Sequence, residues 1–458
     1  LQPKTVALIH PPVEDFYYTS VRRQPLGLLY IASVLKSQYQ IEFINGHSSK
    51  SETLALPEHF SYLEEFMRSD DPMFRFPFPS YRHYGKSFKW FREQIMHSRA
   101  FVFMISAMFT PYHQESKKII AIIRELKPDA VIVAGGAHAS LYPEDLLCGG
   151  ADYVITGEGE AAALALVNAI ASNGCIDNIP GLAYFCGGVL HRTKVLQMSS
   201  IDDLYPDRSL LKKGDTKFRD KEIIAVLSSR GCVHACAFCS GRELWKGRRA
   251  RSIASVDREL SQLCRGSGNL IINFEDENLF SEYDAAVELL ELLHSYHQTF
   301  GCEFTAWNGL SIENVDETIV EKMKAAGFNE LNLSLVTDSK ELQQHYFRPF
   351  DSEHFLSVAR KAKALDMAVR AYFILGLPGQ DESSVEQTID FLSRSGSDFY
   401  PSVFYNVYDS AENWKMQRSS AFFNETAVSR RAQIYFFNVC MRKMHNDLRR
   451  NPPVKTGY

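Results

Sequence analysis

The sequence predicts an α/β protein: a doubly wound amino-terminal domain, a partial β/α barrel of six units, and a short helical carboxyl-terminal region. Three observations carry this expectation. Short, continuous apolar runs alternate with amphipathic stretches, as parallel strands covered on both faces require. Glycines stand directly behind several of these runs, at Gly135-Gly136 and at Gly157-Glu158-Gly159-Glu160. The alternation then restarts near residue 221, in units of about 30 to 45 residues, the spacing of strand-helix repeats in a barrel.

In order, the first strand reads Thr5 to Ile9 and enters a Pro-rich loop. A helix pattern from Leu26 to Leu35 leads to a second strand, Ile41 to Ile44. An aromatic and Pro-rich stretch (Phe74 to Tyr84) follows, then a strand from Phe101 to Ile105, a helix over Lys117 to Leu126 and a strand from Ala130 to Val133. Tyr153 to Ile155 is a last short strand before a helix of Ala and Leu. Residues 1–170 are therefore expected to form a doubly wound, Rossmann-like domain with ligands at the carboxyl ends of its strands. Residues 171–220 read as a linker with a small hairpin, Leu182 to Phe185 against Val189 to His191. Residues 221–408 carry the barrel pattern, with strands at Ile223 to Leu227, Leu270 to Phe274, Cys302 to Ala306, Leu331 to Leu335, Val369 to Leu375 and Val403 to Tyr405. Helix patterns separate them at Ser255 to Leu263, Asp284 to Tyr296, Val315 to Ala326, Ser352 to Leu365 and Ser384 to Ser393. Residues 409–458 read as helical and mixed in character.

Composition narrows the function classes. The 458 residues suit two or three domains at roughly 150 residues each. A net charge of -5 offers no electrostatic basis for binding nucleic acid or an anionic membrane. The longest nearly apolar run, Phe101 to Phe109, is too short to span a bilayer, so no membrane span is expected. No basic segment followed by an apolar one opens the sequence, and the nine cysteines are odd in number and mostly isolated. Reduced thiols and a cytoplasmic location are the expectation.

One cysteine cluster stands apart. Directly after the first barrel strand comes Ser228-Ser229-Arg230-Gly231-Cys232-Val233-His234-Ala235-Cys236-Ala237-Phe238-Cys239-Ser240. Three thiols at C-x3-C-x2-C spacing, on a loop where a barrel places its chemistry, can hold three corners of an iron-sulfur cube and leave one iron open. The alternatives are three incidental cysteines, or a zinc site, which takes four ligands in its closed structural form and finds no second Cys pair here.

The motif, with Phe238 before the third Cys, resembles that of the radical S-adenosylmethionine (radical SAM) enzymes. The resemblance implies that Cys232, Cys236 and Cys239 hold a 4Fe-4S cluster whose fourth iron is chelated by S-adenosylmethionine. It continues in Phe274-Glu275-Asp276-Glu277-Asn278-Leu279-Phe280 and in Gly376-Leu377-Pro378-Gly379-Gln380, which resemble segments of cobalamin-type members. Phe238, Glu275, Asp276, Ser334 and Arg370 are the candidates it gives for S-adenosylmethionine. Two departures stand out: Ser334-Leu335-Val336-Thr337 lacks a carboxylate that many relatives carry after the fourth strand, and Ala306-Trp307-Asn308 lacks an Arg common after the third.

Upstream, Pro25-Leu26-Gly27, Gly135-Gly136-Ala137-His138 and Gly157-Glu158-Gly159-Glu160 resemble, in order, segments of the cobalamin-binding domain that precedes many of these barrels. Pro25, Leu26, Gly27, Ser106, Gly135, Gly136, His138, Gly157 and Glu158 are the cobalamin candidates this implies. Glycine at a strand end lets backbone approach a large flat ligand, and a nearby helix amino terminus offers N–H groups to polar substituents. A D-x-H-x-x-G loop is absent, and His10, His47 and His138 lack its neighbours, so no cobalt-ligating His is assigned.

The expected function is thus that of a cobalamin-dependent, class B-like radical SAM methyltransferase, C-methylating an unactivated carbon of a small-molecule, lipid or peptide substrate. The resemblance also implies a reducing electron donor such as flavodoxin or ferredoxin. The alternatives are radical cyclisation, rearrangement or carbon-carbon coupling, with or without cobalamin, and a non-catalytic redox or cobalamin sensor. No catalytic residue is assigned. Phe74, Phe76, Phe78, Tyr81 and Tyr84 are read either as a lid over an apolar substrate or as packing against a neighbouring domain.

Overall fold

A computed structural model describes residues 4–17, 24–48, 50–212, 215–218, 221–265, 270–408 and 425–450. The amino-terminal sheet has seven strands. Five are parallel, in the order Tyr153–Ile155, Val131–Gly135, Val102–Ser106, Thr5–His10 and Gln40–Asn45. Their side chains split by strict alternation: Ala7, Ile9, Phe103 and Ile105 face one layer, and Val6, Leu8, Val102 and Met104 the other. Helices Phe88–His97 and His113–Leu126 cover the first face, and Leu26–Leu35 and Glu160–Ser172 the second. Continuous apolar runs were the sequence signal because both faces are buried.

The hairpin that the sequence places in the linker is the edge of this same sheet. Its strands, Leu182–Cys186 and Val189–Arg192, pair antiparallel beyond Tyr153–Ile155, and Leu182 and Ala183 join the core.

The barrel is two arcs. Lys221–Val226, Leu270–Phe274 and Glu303–Thr305 form the first, and Glu330–Val336, Ala368–Leu375 and Asp398–Val403 the second. Single bridges, Phe304 to Phe328 and Leu310 to Leu333, join them. The sixth strand lies five residues earlier than its predicted start at Val403. Asp398 and Pro401 are poor strand residues, but the backbone of residues 398–401 pairs with Arg370 to Phe373, and that tertiary pairing overrides local propensity.

One feature had no sequence signal. Val13–Asp15, Arg82–Tyr84 and Ser51–Thr53 make a small antiparallel sheet of three-residue strands, too short for any periodicity. The aromatic stretch folds into a separate core around Phe16, whose ring meets Phe60, Phe76 and Tyr81 at 5.1, 5.0 and 5.2 Å. Phe74 stacks on Tyr435 and Phe78 packs edge-on to Phe437, both on the helix Arg430–Arg450. The other face of that helix gives Phe436 and Cys440 to the barrel core. The lid reading is therefore corrected: Phe76 and Tyr81 are buried anchors that fasten the carboxyl-terminal helix. Of the expected helical tail, residues 409–424 and 451–458 lie outside the described residues.

Candidate active site

The cysteine loop leaves the first barrel strand through a narrow neck. Ser229 and Arg230 pair antiparallel with Ala250 and Arg249, so the segment between them is closed at its base. Gly231 sits in that neck at φ +82°, where a Cβ would lie 2.2 Å from the Gly247 carbonyl oxygen, so only glycine fits. Cys236 is buried, Cys232 half-buried and Cys239 exposed, and all three are free of disulfides. Amides already point at two of the sulfurs: His234 N–H donates to Cys232 Sγ at 3.5 Å and Gly241 N–H to Cys239 Sγ at 3.4 Å.

Three carboxylate and aromatic supports hold the loop. Asp276 accepts from Ser228 N–H at 3.0 Å, from Ser228 Oγ at 2.7 Å and from Ser229 Oγ. Glu277 accepts from Gly231 N–H at 3.0 Å. Burial raises both acids above the usual carboxylate range, against the hydrogen bonds that lower them. On the far side, Ala237 N–H donates to the Tyr346 carbonyl at 3.1 Å, and the Phe238 ring meets Tyr346 edge-on at 5.6 Å. The Tyr346 hydroxyl in turn donates to the Pro378 carbonyl at 2.6 Å, within the Gly376-to-Gln380 turn.

Arg348 supplies positive charge. It is buried, donates to Ser311 Oγ at 2.6 Å and lies 3.5 Å from Glu313. Burial raises the Cys232 thiol and pushes Cys236 up to about 11, and the Arg348 guanidinium pulls both down. Among the described residues, only His113, His138 and Asp145 bring three ligand atoms within 4.8 Å of one another. Three thiols on one short loop suit three corners of an iron-sulfur cube.

The amino-terminal domain meets this loop directly. Glu158 accepts from Arg230 and Arg249, and Glu160 from Arg230. At the carboxyl end of the Val102–Ser106 strand, Met108 and Phe109 stand about half exposed, and Gly27 faces open space at the start of its helix. Apolar side chains and open backbone at strand ends suit a flat ligand such as a corrin.

A profile of the Radical SAM superfamily matches residues 226–392, and one of the B12 binding domain matches residues 87–167. The chain belongs to the radical SAM enzymes that carry a cobalamin-binding domain. The enzyme is 24% identical over 417 residues to an uncharacterized methyltransferase of Pyrococcus horikoshii, covering 90% of this chain and 82% of that protein. It is 23% identical over 434 residues to the cytidylyl-2-hydroxyethylphosphonate methyltransferase of Streptomyces wedmorensis, covering 85% and 77%. In fold it is similar to the radical S-adenosylmethionine methyltransferase TsrM of Kitasatospora setae, solved with cobalamin and a [4Fe-4S] cluster, with a TM-score of 0.64 at 16% identity over 88% of this chain and 72% of that one. S-adenosylmethionine, a 4Fe-4S cluster and cobalamin are its cofactors. No helix among the described residues is long and apolar enough to cross a membrane.

Several candidates of the enzyme have other engagements. The Asp276 carboxylate is committed to the base of the cysteine loop. Glu275 accepts from Asn273 Nδ2 at 2.6 Å, and the Ser334 carbonyl lies 3.4 Å from Arg348 Nη2. Arg370, the third residue of its strand, is ion-paired with Glu330, the first residue of the adjoining strand; this lies away from the carboxyl ends where the cysteines sit. In the first domain, Glu158 is spent on two arginines. His138 is fully buried and shared between Thr110 Oγ1 and Asp145 Oδ2, both at 3.3 Å, so it turns into the domain. Gly136, at φ +125°, would bring a Cβ to 2.7 Å from the Ala107 carbonyl oxygen, so its need for glycine comes from its own backbone neighbour. The Gly157 amide donates to Ser140 Oγ at 2.8 Å, and the Ser106 carbonyl accepts from Ser116. Pro25, Leu26, Gly27 and Gly135 keep backbone at the strand and helix ends. His10 faces Asn45 and His47.

Arg230, Arg249, Glu277, Tyr346 and Arg348 were missed. Arg230 stands two residues before Cys232, and in the sequence only its charge at a strand end marks it.

Proposed function

We propose that the enzyme methylates a poorly activated carbon of a small-molecule, lipid or peptide substrate held at the junction of its two domains. The observation that carries this reading is the direct contact of the cysteine loop with the cobalamin-binding domain through Arg230, ion-paired with Glu158 and Glu160. When bound, the cluster with S-adenosylmethionine supplies a 5'-deoxyadenosyl radical, and cobalamin supplies the methyl group. Cys232, Cys236 and Cys239 would hold the cluster and Phe238 would pack beside the adenine, while Asp276 and Glu277 fix the loop. Arg348 supports the negative charge of the thiolates. Met108, Phe109, Gly27 and Gly135 would border the corrin. Supply of electrons by a flavodoxin or ferredoxin, in a reducing compartment such as the cytoplasm, suits nine free cysteines and an exposed Cys239.

The test is anaerobic reconstitution with hydroxocobalamin, then iron, sulfide and cobalt analysis, followed by turnover with S-adenosylmethionine, reduced flavodoxin or ferredoxin as electron source, and a panel of methyl acceptors. About four irons and one cobalt per chain, with 5'-deoxyadenosine and S-adenosylhomocysteine forming together on methyl transfer, are expected. Iron and 5'-deoxyadenosine without cobalt or S-adenosylhomocysteine would replace methylation by a cyclisation or rearrangement.

A further inference from the structure

Three segments of the amino-terminal domain are stitched to the start of the barrel, and two of them stand beside Gly27 and Gly135, the glycines assigned above to the corrin. Gln24, next to Pro25, donates through Nε2 to the Ile223 carbonyl at 2.6 Å and accepts the Ala225 amide at 3.0 Å. Tyr30, on the helix that Pro25-Leu26-Gly27 opens, lies under the Arg230 guanidinium at 5.0 Å. The Gly157-to-Glu160 turn grips both sides of the neck of the cysteine loop. Glu158 Oε1 accepts from Arg230 Nη1 and Arg249 Nη2, each at 2.9 Å, and its Oε2 accepts from Arg249 Nη1 at 2.9 Å and Met198 N–H at 2.7 Å. Glu160 takes the other Arg230 nitrogen at 2.5 Å.

All four side chains are largely buried: Glu158 is 8% exposed, Glu160 5% and Arg230 8%, and the Arg249 side chain 17%. Two carboxylates face two guanidiniums, so charge is balanced. Bidentate pairs in a dry setting fix geometry as well as attract. Moving the turn without moving the neck would leave a buried ion unpaired, a strongly unfavourable change. Turn and neck therefore move together, and Cys232 is two residues from Arg230.

We propose that the Glu158–Arg230–Arg249 clasp is a positioning device that couples occupancy of the cobalamin site to the cluster loop, so that cobalamin and S-adenosylmethionine alter each other's affinity. This rests on the reading above, in which cobalamin lies against Gly27 and Gly135, the latter paired with Ile155, two residues before Gly157. Coupling of this kind is reciprocal: each ligand must change the other's affinity by the same factor.

The experiment uses the full chain with its cluster reconstituted. The S-adenosylmethionine dissociation constant is measured with and without hydroxocobalamin, and the cobalamin constant with and without S-adenosylmethionine. Wild type is expected to show equal factors of about 5 or more, together with a change in the reduced cluster's electron paramagnetic resonance spectrum on cobalamin loading. In the doubly substituted Glu158→Gln/Arg249→Gln protein, which removes one charge of each sign and leaves the Arg230–Glu160 pair, both cofactors still bind and the factor falls toward one. Equal affinities in wild type with both cofactors bound would overturn the proposal, as would an unchanged factor in the double variant. Should that variant fail to fold, Arg230→Lys keeps the charge but cannot bridge two carboxylates in the same way, and an unchanged factor there overturns it equally. Failure of wild type to take up any cobalamin would sink the underlying reading along with the coupling; uptake without coupling would sink the coupling alone.

Discussion

Asp276 lies beneath Ser228, taking its amide at 3.0 Å and its hydroxyl at 2.7 Å with the two oxygens of one carboxylate. The base of the cysteine loop is thereby tied to the end of the second barrel strand. Asp276→Asn replaces one acceptor by a donor that faces the same donors. A buried group left unsatisfied costs about 1–3 kcal/mol, so the variant is expected to lose that much stability and to reconstitute with less iron. Denaturant titration and iron analysis check both, and full iron loading at wild-type stability would count against the bracing role.

Arg348 sits buried on the side of Cys232 and Cys236, and its charge opposes the burial that raises both thiols. Arg348→Gln keeps hydrogen-bond donors for Ser311 but removes the cation. Adding an electron to the cluster then becomes less favourable, so the reduction potential is expected to move to more negative values. A potentiometric titration followed by electron paramagnetic resonance reads this directly, and a potential equal to wild type would exclude an electrostatic role.

Gly136 packs against Ala107 at φ +125°. Gly136→Ala forces a Cβ against the Ala107 carbonyl in a conformation that L side chains avoid. The strain is expected to cost about 1–3 kcal/mol; thermal unfolding measures it. Gly27→Ala meets nothing within 4 Å. It should leave stability almost unchanged while weakening cobalamin uptake, a split that separates a folding glycine from a ligand-facing one.

Much of this was legible in the sequence because the physics was local. Cys232, Cys236 and Cys239 announce themselves by spacing, and strands such as Leu270–Phe274 by an apolar run with helices on either side. Asp398–Val403 was not legible: its pairing partner, not its residue types, makes it a strand. Glu158 shows the same limit in the site. Its Gly-Glu-Gly-Glu setting marked it as important, but its partners Arg230 and Arg249 are 72 and 91 residues away in sequence. Likewise Phe76 reads as aromatic, and only folding shows that Phe16 and the carboxyl-terminal helix surround it.

Burial lowers the His10 imidazole from about 6.5 to about 4, with the Asn45 hydrogen bond pulling the other way. Unfolded His10 takes up its proton near pH 6.5, whereas the folded group resists until near pH 4. Between these values the unfolded state binds more protons, so stability is full above the unfolded value and falls as pH drops through the window. At pH 5 this single group accounts for about 2 kcal/mol. His10→Gln, which can still face Asn45, should lose less stability than wild type between pH 7.5 and 5. Parallel acid limbs in the two proteins would show that His10 is not a source of that loss.

Phe76 is 4% exposed in the aromatic core, whereas Phe347, next to the Tyr346 that packs against Phe238 of the cysteine loop, is 67% exposed. Phe76→Ala empties a packed site and should cost about 3–5 kcal/mol, and because Phe74 and Phe78 on either side of it grip Tyr435 and Phe437, the helix Arg430–Arg450 should loosen first. Limited proteolysis is expected to cut near that helix before the barrel is touched. Phe347→Ala, removing a side chain with little to lose, should leave unfolding unchanged, so any effect on turnover there reports on ligand contact. A folded Phe76→Ala protein with a protected carboxyl-terminal helix but weakened substrate binding would restore the lid reading for this segment.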